Sequence, residues 1–184
     1  MVNSRSERAR IVSAPRILPA VAWALSCVAA PAIAASVPDP VLPENARNLT
    51  AGEIYELYRD RSWQWEHGAG RMKASGRQFS AWVDGEAGKS WADGRWIITD
   101  TGRLCLDATW HTGQGAFPAK TCFSHRAGEG RIYQKREPDG AWYVFLNSVH
   151  RQDNKAGDLV SEDLVSRQRD DIKAALGALQ SPQQ

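Results

Sequence analysis

Cysteine is scarce in this 184-residue sequence, which holds three. No two stand at Cys-x-x-Cys spacing, so a dithiol redox centre of that type is excluded. There is no His-Glu-x-x-His, no Gly-x-Ser-x-Gly, no phosphate loop and no dinucleotide fingerprint. The four histidines, His67, His111, His125 and His150, do not pair at metal-ligand spacing. Glu86, Asp100, Asp107 and Glu137 are scattered acids, and nothing in their spacing selects a catalytic pair, although a glycosidase pair need only be close in space. The reading therefore assigns no catalytic residue, no metal and no cofactor, and treats the chain as more a binder than an enzyme.

An excess of charge is missing too. The whole chain carries 23 Lys and Arg against 21 Asp and Glu, a net +2. Arg5, Arg8, Arg10 and Arg16 with Glu7 give the first 34 residues +3, so a chain without them falls to −1. No basic stripe is left for nucleic acid. Those first residues read as a secretory signal. The arginines form a basic n-region, Ile17 to Ala30 an apolar h-region broken by Pro19, and Ala32-Ile33-Ala34 a small-x-small cleavage site. No second apolar run could span a bilayer. Cys27 lies inside this segment. A lipoprotein with Cys27 acylated is the alternative, but Ala24 stands where a leucine-like residue is wanted. The localisation this implies is periplasmic or secreted.

The chain divides into a signal peptide over 1–34, an extended leader over 35–48 with Pro38, Pro40 and Pro43, a β domain over 49–149, and a linker and C-terminal helix over 150–184. Thr50-Ala51-Gly52-Glu53 matches a capping box and opens a short helix, about Ala51 to Arg59, with Ile54, Leu57 and Tyr58 on one face. From Ser62 to Ser148, short alternating runs are punctuated by Ser75-Gly76, Asp84-Gly85, Asp93-Gly94, Thr101-Gly102, Gly113-Gln114-Gly115, Gly128-Glu129-Gly130 and Pro138-Asp139-Gly140. Turns this frequent predict a mainly β fold: an antiparallel meander forming a small lipocalin-like barrel or curved sheet, flanked by a short N-terminal and a C-terminal helix. The final helix is expected from about Leu159 to Leu179, capped by Asp158, with Leu164, Ile172, Leu176 and Leu179 as its apolar stripe.

Cys105 and Cys122 are the two cysteines outside the signal, and in an exported chain they suggest one disulfide. If they face each other on adjacent antiparallel strands, 107 faces 120, 109 faces 118 and 111 faces 116. The turn then centres on Gly113-Gln114, and a glycine in first place suits a type II′ hairpin. The alternative is two free thiols.

Tryptophan is the unusual component, with seven of the eight outside the signal. Buried rings in a small barrel are the plain explanation. The sharper one is a ligand surface. Trp63 and Trp65 share one face of a strand. Trp82 falls opposite Phe79 and Val83, and Trp110 shares a face with Leu104, Leu106 and Ala108. Trp82, Trp63, Trp65 and Trp110 are the possible ligand-binding residues.

Several of these segments form an ordered set: Ser62-Trp63-Gln64-Trp65, Gly68-x-Gly70, Phe79-x-Ala81-Trp82, Gly94-Arg95-Trp96, Gly102-Arg103-Leu104-Cys105, Thr121-Cys122-Phe123 and Trp142-Tyr143-Val144-Phe145. Over about residues 49 to 147 the set resembles the small exported proteobacterial proteins grouped as domain of unknown function family 995. The resemblance implies a Gram-negative envelope or secreted setting and brings no reaction, ligand or catalytic residue.

The expected function is an exported cell-envelope module that binds a ligand, a glycan or an apolar small molecule, or an envelope protein. The rivals are an inhibitor of an envelope hydrolase and an enzyme acting on envelope polysaccharide. An apolar ligand needs a cavity, and a lumen filled by Trp91, Trp96 and Trp110 would exclude it. An inhibitor calls for a protruding loop without a pocket. The enzyme calls for two carboxylates converging near an exposed Trp.

Overall fold

The computed structural model describes residues 41–147 and 154–180. The expected signal segment with Cys27, the first part of the expected leader, and His150 lie outside them.

Residues 61–147 alternate apolar and polar side chains between closely spaced turns, and they fold as a meander of eight strands. These are β2 Arg61–Trp65, β3 Gly68–Met72, β4 Gln78–Gly85, β5 Gly88–Thr99, β6 Arg103–Thr112, β7 Gly115–Gly128, β8 Arg131–Arg136 and β9 Tyr143–Asn147. With β1 Arg47–Asn48 and β10 Leu159–Val160 they make one ten-stranded antiparallel sheet in the order β10-β2-β3-β4-β5-β6-β7-β8-β9, β1 pairing with β7. The sheet curls into a half-barrel. Of the two shapes expected, the curved sheet is the one found. Among the described residues no ladder joins β9 to β10, so the sheet keeps two edges.

The alternation decides the two faces. Phe79 and Ala81, Ala92 and Trp96, and Leu104 and Ala108 are buried on the concave side. α1, Ala51–Tyr58, plugs one end of that concavity. Thr50 caps it: its hydroxyl accepts from the Glu53 N–H at 3.2 Å while the Glu53 carboxylate accepts from the Thr50 N–H at 2.8 Å. Ile54 and Tyr58 are fully buried with Leu49, Met72 and Phe145, which closes the core at this end. Tyr55 stacks on Trp96 at 5.7 Å, and the Arg77 guanidinium lies over both rings.

α2, Ser166–Gln180, covers the convex face over β4 and β5. Arg169 pairs with Asp93 at 2.8 Å, and Lys173 lies 4.6 Å above the Trp91 ring. The helix starts seven residues later than expected. Lys155–Asp158 form a 3₁₀ turn, Leu159–Val160 pair with β2, and Asp163 replaces Asp158 as the cap, accepting from the Val165 and Ser166 N–H groups at 3.0 and 2.9 Å. Ile172 and Leu176 face inward as expected.

The disulfide hairpin has the expected register. Cys105 faces Cys122, 107 faces 120, 109 faces 118 and 111 faces 116. The two sulfurs are bonded at 2.08 Å. The turn differs in chemistry, because the positive φ falls on Gly115 (141°) and not on Gly113. The Thr112 hydroxyl accepts from the Gln114 N–H at 3.0 Å and braces the turn instead. Asp93-Gly94 is also no turn. It lies in the middle of β5, where a Cβ on Gly94 would collide with the Asp107 carbonyl and Ala108 of β6.

Candidate functional site

Away from α1, the concave face opens into a cavity of about 970 Å³. Its wall comes from β2, β4, β6 and β7, whose inward positions carry Trp63 and Trp65, Phe79 and Val83, Leu106 and Trp110, and Phe123. Trp63 packs on Phe123 at 5.0 Å and on Phe145 at 6.2 Å, so the floor is aromatic and continuous with the core. Arg136 at the end of β8 and Lys155 and Asp158 of the 3₁₀ turn supply charge to one side of the cavity. Glu66 is at the mouth on the β2–β3 turn, its side chain 87 % exposed.

Below the floor lies a polar cluster assembled from four elements. Tyr58 of α1, His125 of β7 and Gln134 of β8 are fully or almost fully buried, and Tyr143 of β9 is half-buried. The Gln134 amide nitrogen donates to Tyr58 Oη at 2.6 Å, and the Tyr143 hydroxyl donates to Gln134 Oε1. Tyr58 Oη stands 2.8 Å and Gln134 Nε2 2.7 Å from His125 Nε2. Both neighbours have protons to give, so His125 Nε2 accepts and the proton sits on Nδ1. Nδ1 has no partner in hydrogen-bond geometry, although the Gly102 and Phe123 carbonyls are near enough to favour the charged ring. Burial outweighs them and pushes the imidazole down to about 4. Burial likewise raises the Tyr58 phenol well above its ordinary value. It raises Tyr143, with a further push from Asp158, to about 12. At neutral pH the cluster is uncharged, and its groups satisfy one another except at Nδ1.

Three of the four expected tryptophans meet. Trp63, Trp65 and Trp110 all line the cavity, and Trp65 is 40 % exposed at its mouth. Trp82 sits on the convex face, half-buried, its indole N–H donating to the Leu164 carbonyl at 2.8 Å. The lumen is not filled by the rings that would have closed it. Trp96 is buried in the core, Trp91 stacks on His111 at 3.9 Å on the convex side, and Trp110 is part of the cavity wall. Among the described residues no three His, Cys, Asp or Glu side chains gather as a metal set. No helix among them is long and apolar enough to cross a membrane.

The family described as protein of unknown function DUF995 matches residues 24–165. The chain belongs to the DUF995 family. No curated protein and no solved structure matches it. The DUF995 match runs beyond the segment that carries the resemblance. It takes in Lys155, Asp158 and Asp163 and stops before α2. Every residue named above as lining the cavity is therefore inside the DUF995 region. One piece of the motif set has a direct geometric reason. The Trp65 ring lies across β3: a Cβ on Gly68 would run into the Trp82 carbonyl and the Trp65 indole, and one on Gly70 into the Phe79 ring and against the edge of Trp65. Trp-x-Trp followed by Gly-x-Gly is thus a ring and the bare backbone that seats it.

Sequence reasoning missed Tyr58, Gln134, Tyr143, Arg136, Lys155 and Asp158, and gave His125 no role. One signal was present: the Cys105–Cys122 register puts Phe123 and His125 on the same inward face of β7.

Proposed function

We propose that this DUF995 protein is a non-enzymatic binding module that holds an apolar or amphipathic small molecule in its half-barrel, outside the cytoplasm. The cavity carries the reading. At about 970 Å³ it is at the upper end of the range for pockets that enclose small ligands, roughly 300–1,000 Å³. Its aromatic wall and charged side give the composition such pockets have. The plan, a curved meander with one end plugged by a helix, is lipocalin-like. The basic and apolar segment over 1–34 and the disulfide support export to the periplasm or beyond. A pocket also weighs against the pocketless inhibitor. For the enzyme reading the cavity offers Glu66 and Asp158, and the Glu66 side chain stands largely in water.

The test is a titration with N-phenyl-1-naphthylamine, a neutral probe that brightens in apolar surroundings. The wild-type protein should give saturable one-site binding. Val83→Trp, which extends a half-buried side chain of the wall into the cavity, should abolish binding with the far-ultraviolet circular dichroism unchanged. No saturable binding to folded wild-type protein would sink the reading.

A further inference from the structure

We infer that the ligand is an anionic amphiphile, whose headgroup meets Arg136 and Lys155 and whose chain lies against the aromatic wall. The inference rests on the cavity reading above and adds the chemical class. The register fixes one half of it. Arg136 pairs with Phe123 on the concave side of the sheet, two residues beyond Gln134. Lys155 reaches the same cavity from the 3₁₀ turn that follows.

Neither cation has a hydrogen-bond or ion-pair partner for its side chain among the described residues. Three half-buried cations elsewhere do. Lys135 has Glu137 at 3.5 Å, Arg169 has Asp93 at 2.8 Å, and Arg71 has Asp163 and the carbonyls of Ser161 and Glu162. Arg136 and Lys155 stand exposed to water beside the aromatic wall. A ligand that displaces that water must replace its hydrogen bonds, and an anion does so with charge-assisted ones. The two acids of the cavity do not substitute for it. Glu66 stands in water beside His67, Asp158 lies against Tyr143, and neither forms an ion pair with Arg136 or Lys155.

The polarity is also segregated. Arg136, Lys155 and Asp158 stand at the end of β8 and on the 3₁₀ turn, while β2, β4 and β6 present Trp63, Phe79, Leu106 and Trp110, with Glu66 out at the solvent-facing mouth. A cavity with one charged side and one aromatic side fits a molecule with a head and a chain. It fits a uniformly hydroxylated sugar less well.

The experiment is displacement of bound N-phenyl-1-naphthylamine from the full chain by four twelve-carbon competitors below their micelle concentrations: dodecanoate, dodecyl phosphate, dodecanol and dodecylamine. The two anions should displace the probe at concentrations about tenfold lower than dodecanol, as one charge-assisted contact warrants. The amine should be weakest. The order between carboxylate and phosphate then says which head the site prefers. In Arg136→Gln/Lys155→Gln, both at solvent-exposed positions, the anions should lose that advantage over dodecanol, each competitor being read against the variant's own probe affinity. Equal displacement by all four competitors would overturn the inference and leave the cavity reading standing. So would an anion preference that survives the double variant. Failure of the probe to bind at all would remove both.

Discussion

His125 is the residue whose surroundings most change its chemistry. Its ring is buried beside Tyr58, Gln134 and Phe145 and is held neutral down to about pH 4, against 6.5 in the open. Because the folded value is the lower one, the unfolded chain binds the extra proton first. Stability is therefore full above pH 6.5 and falls as pH drops from 6.5 to about 4, by up to roughly 3 kcal/mol. Glu53 and Asp163 act in a separate, lower window. The Arg47 and Thr50 hydrogen bonds hold Glu53 at about 2. Burial alone would raise Asp163, but the Ser166 and Val165 donors and Arg71 hold it at about 2. Their contributions persist above pH 4.5 and 3.8 and are lost only toward pH 2. Urea midpoints measured from pH 7 to 5 should decline for wild type and stay flat for His125→Gln, which starts lower because it disturbs the cluster. A flat wild-type curve over that range would mean that the ring titrates normally. None of this was legible in the sequence. The four partners come from α1, β7, β8 and β9, and no local spacing connects them.

At the scale of elements, the β6–β7 hairpin was the most legible part. Antiparallel pairing makes partner numbers sum to a constant, so one cysteine pair fixes ten residue pairs. The α1 cap was legible for a similar reason, since a capping box is a contact between residues three apart. Glycine was misleading in β5. It marks turns, but it also marks places where a neighbouring backbone comes too close for a Cβ, and Gly94 is of the second kind. The start of α2 was misplaced because β10 is two residues long, too short to show alternation. The disulfide joins β6 and β7 across a sequence separation of 17. Removing it with Cys105→Ser/Cys122→Ser should keep the sheet, since the ladder on either side is continuous. Stability should fall by about 3 kcal/mol in the chain-entropy account. Chemical denaturation of the oxidised, the reduced and the double-serine protein checks this. The reduced and double-serine proteins should agree with each other and lie below the oxidised one.

The whole molecule sorts its tryptophans by face, and that sorting makes the cavity testable without a label. Curvature created the division: the same alternating strands that predict a sheet do not say how far it bends, so the cavity could not be read from the sequence. Trp63, Trp65 and Trp110 look into the concavity, while Trp82 and Trp91 lie on the convex side under α2 and the segment before it. A molecule bound in the half-barrel touches the first group alone. Iodide quenching with and without dodecanoate should therefore show protection that survives in Trp82→Phe/Trp91→Phe. Most of it should disappear in Trp65→Phe/Trp110→Phe, which removes the most exposed ring of the cavity and a second ring of its wall. Protection that tracks Trp82 and Trp91 instead would put the ligand in the crevice beneath α2, where Trp91, His111, Lys173 and Leu176 meet. The convex face would then be the functional one, and the family match, which ends at residue 165, would exclude one wall of the site.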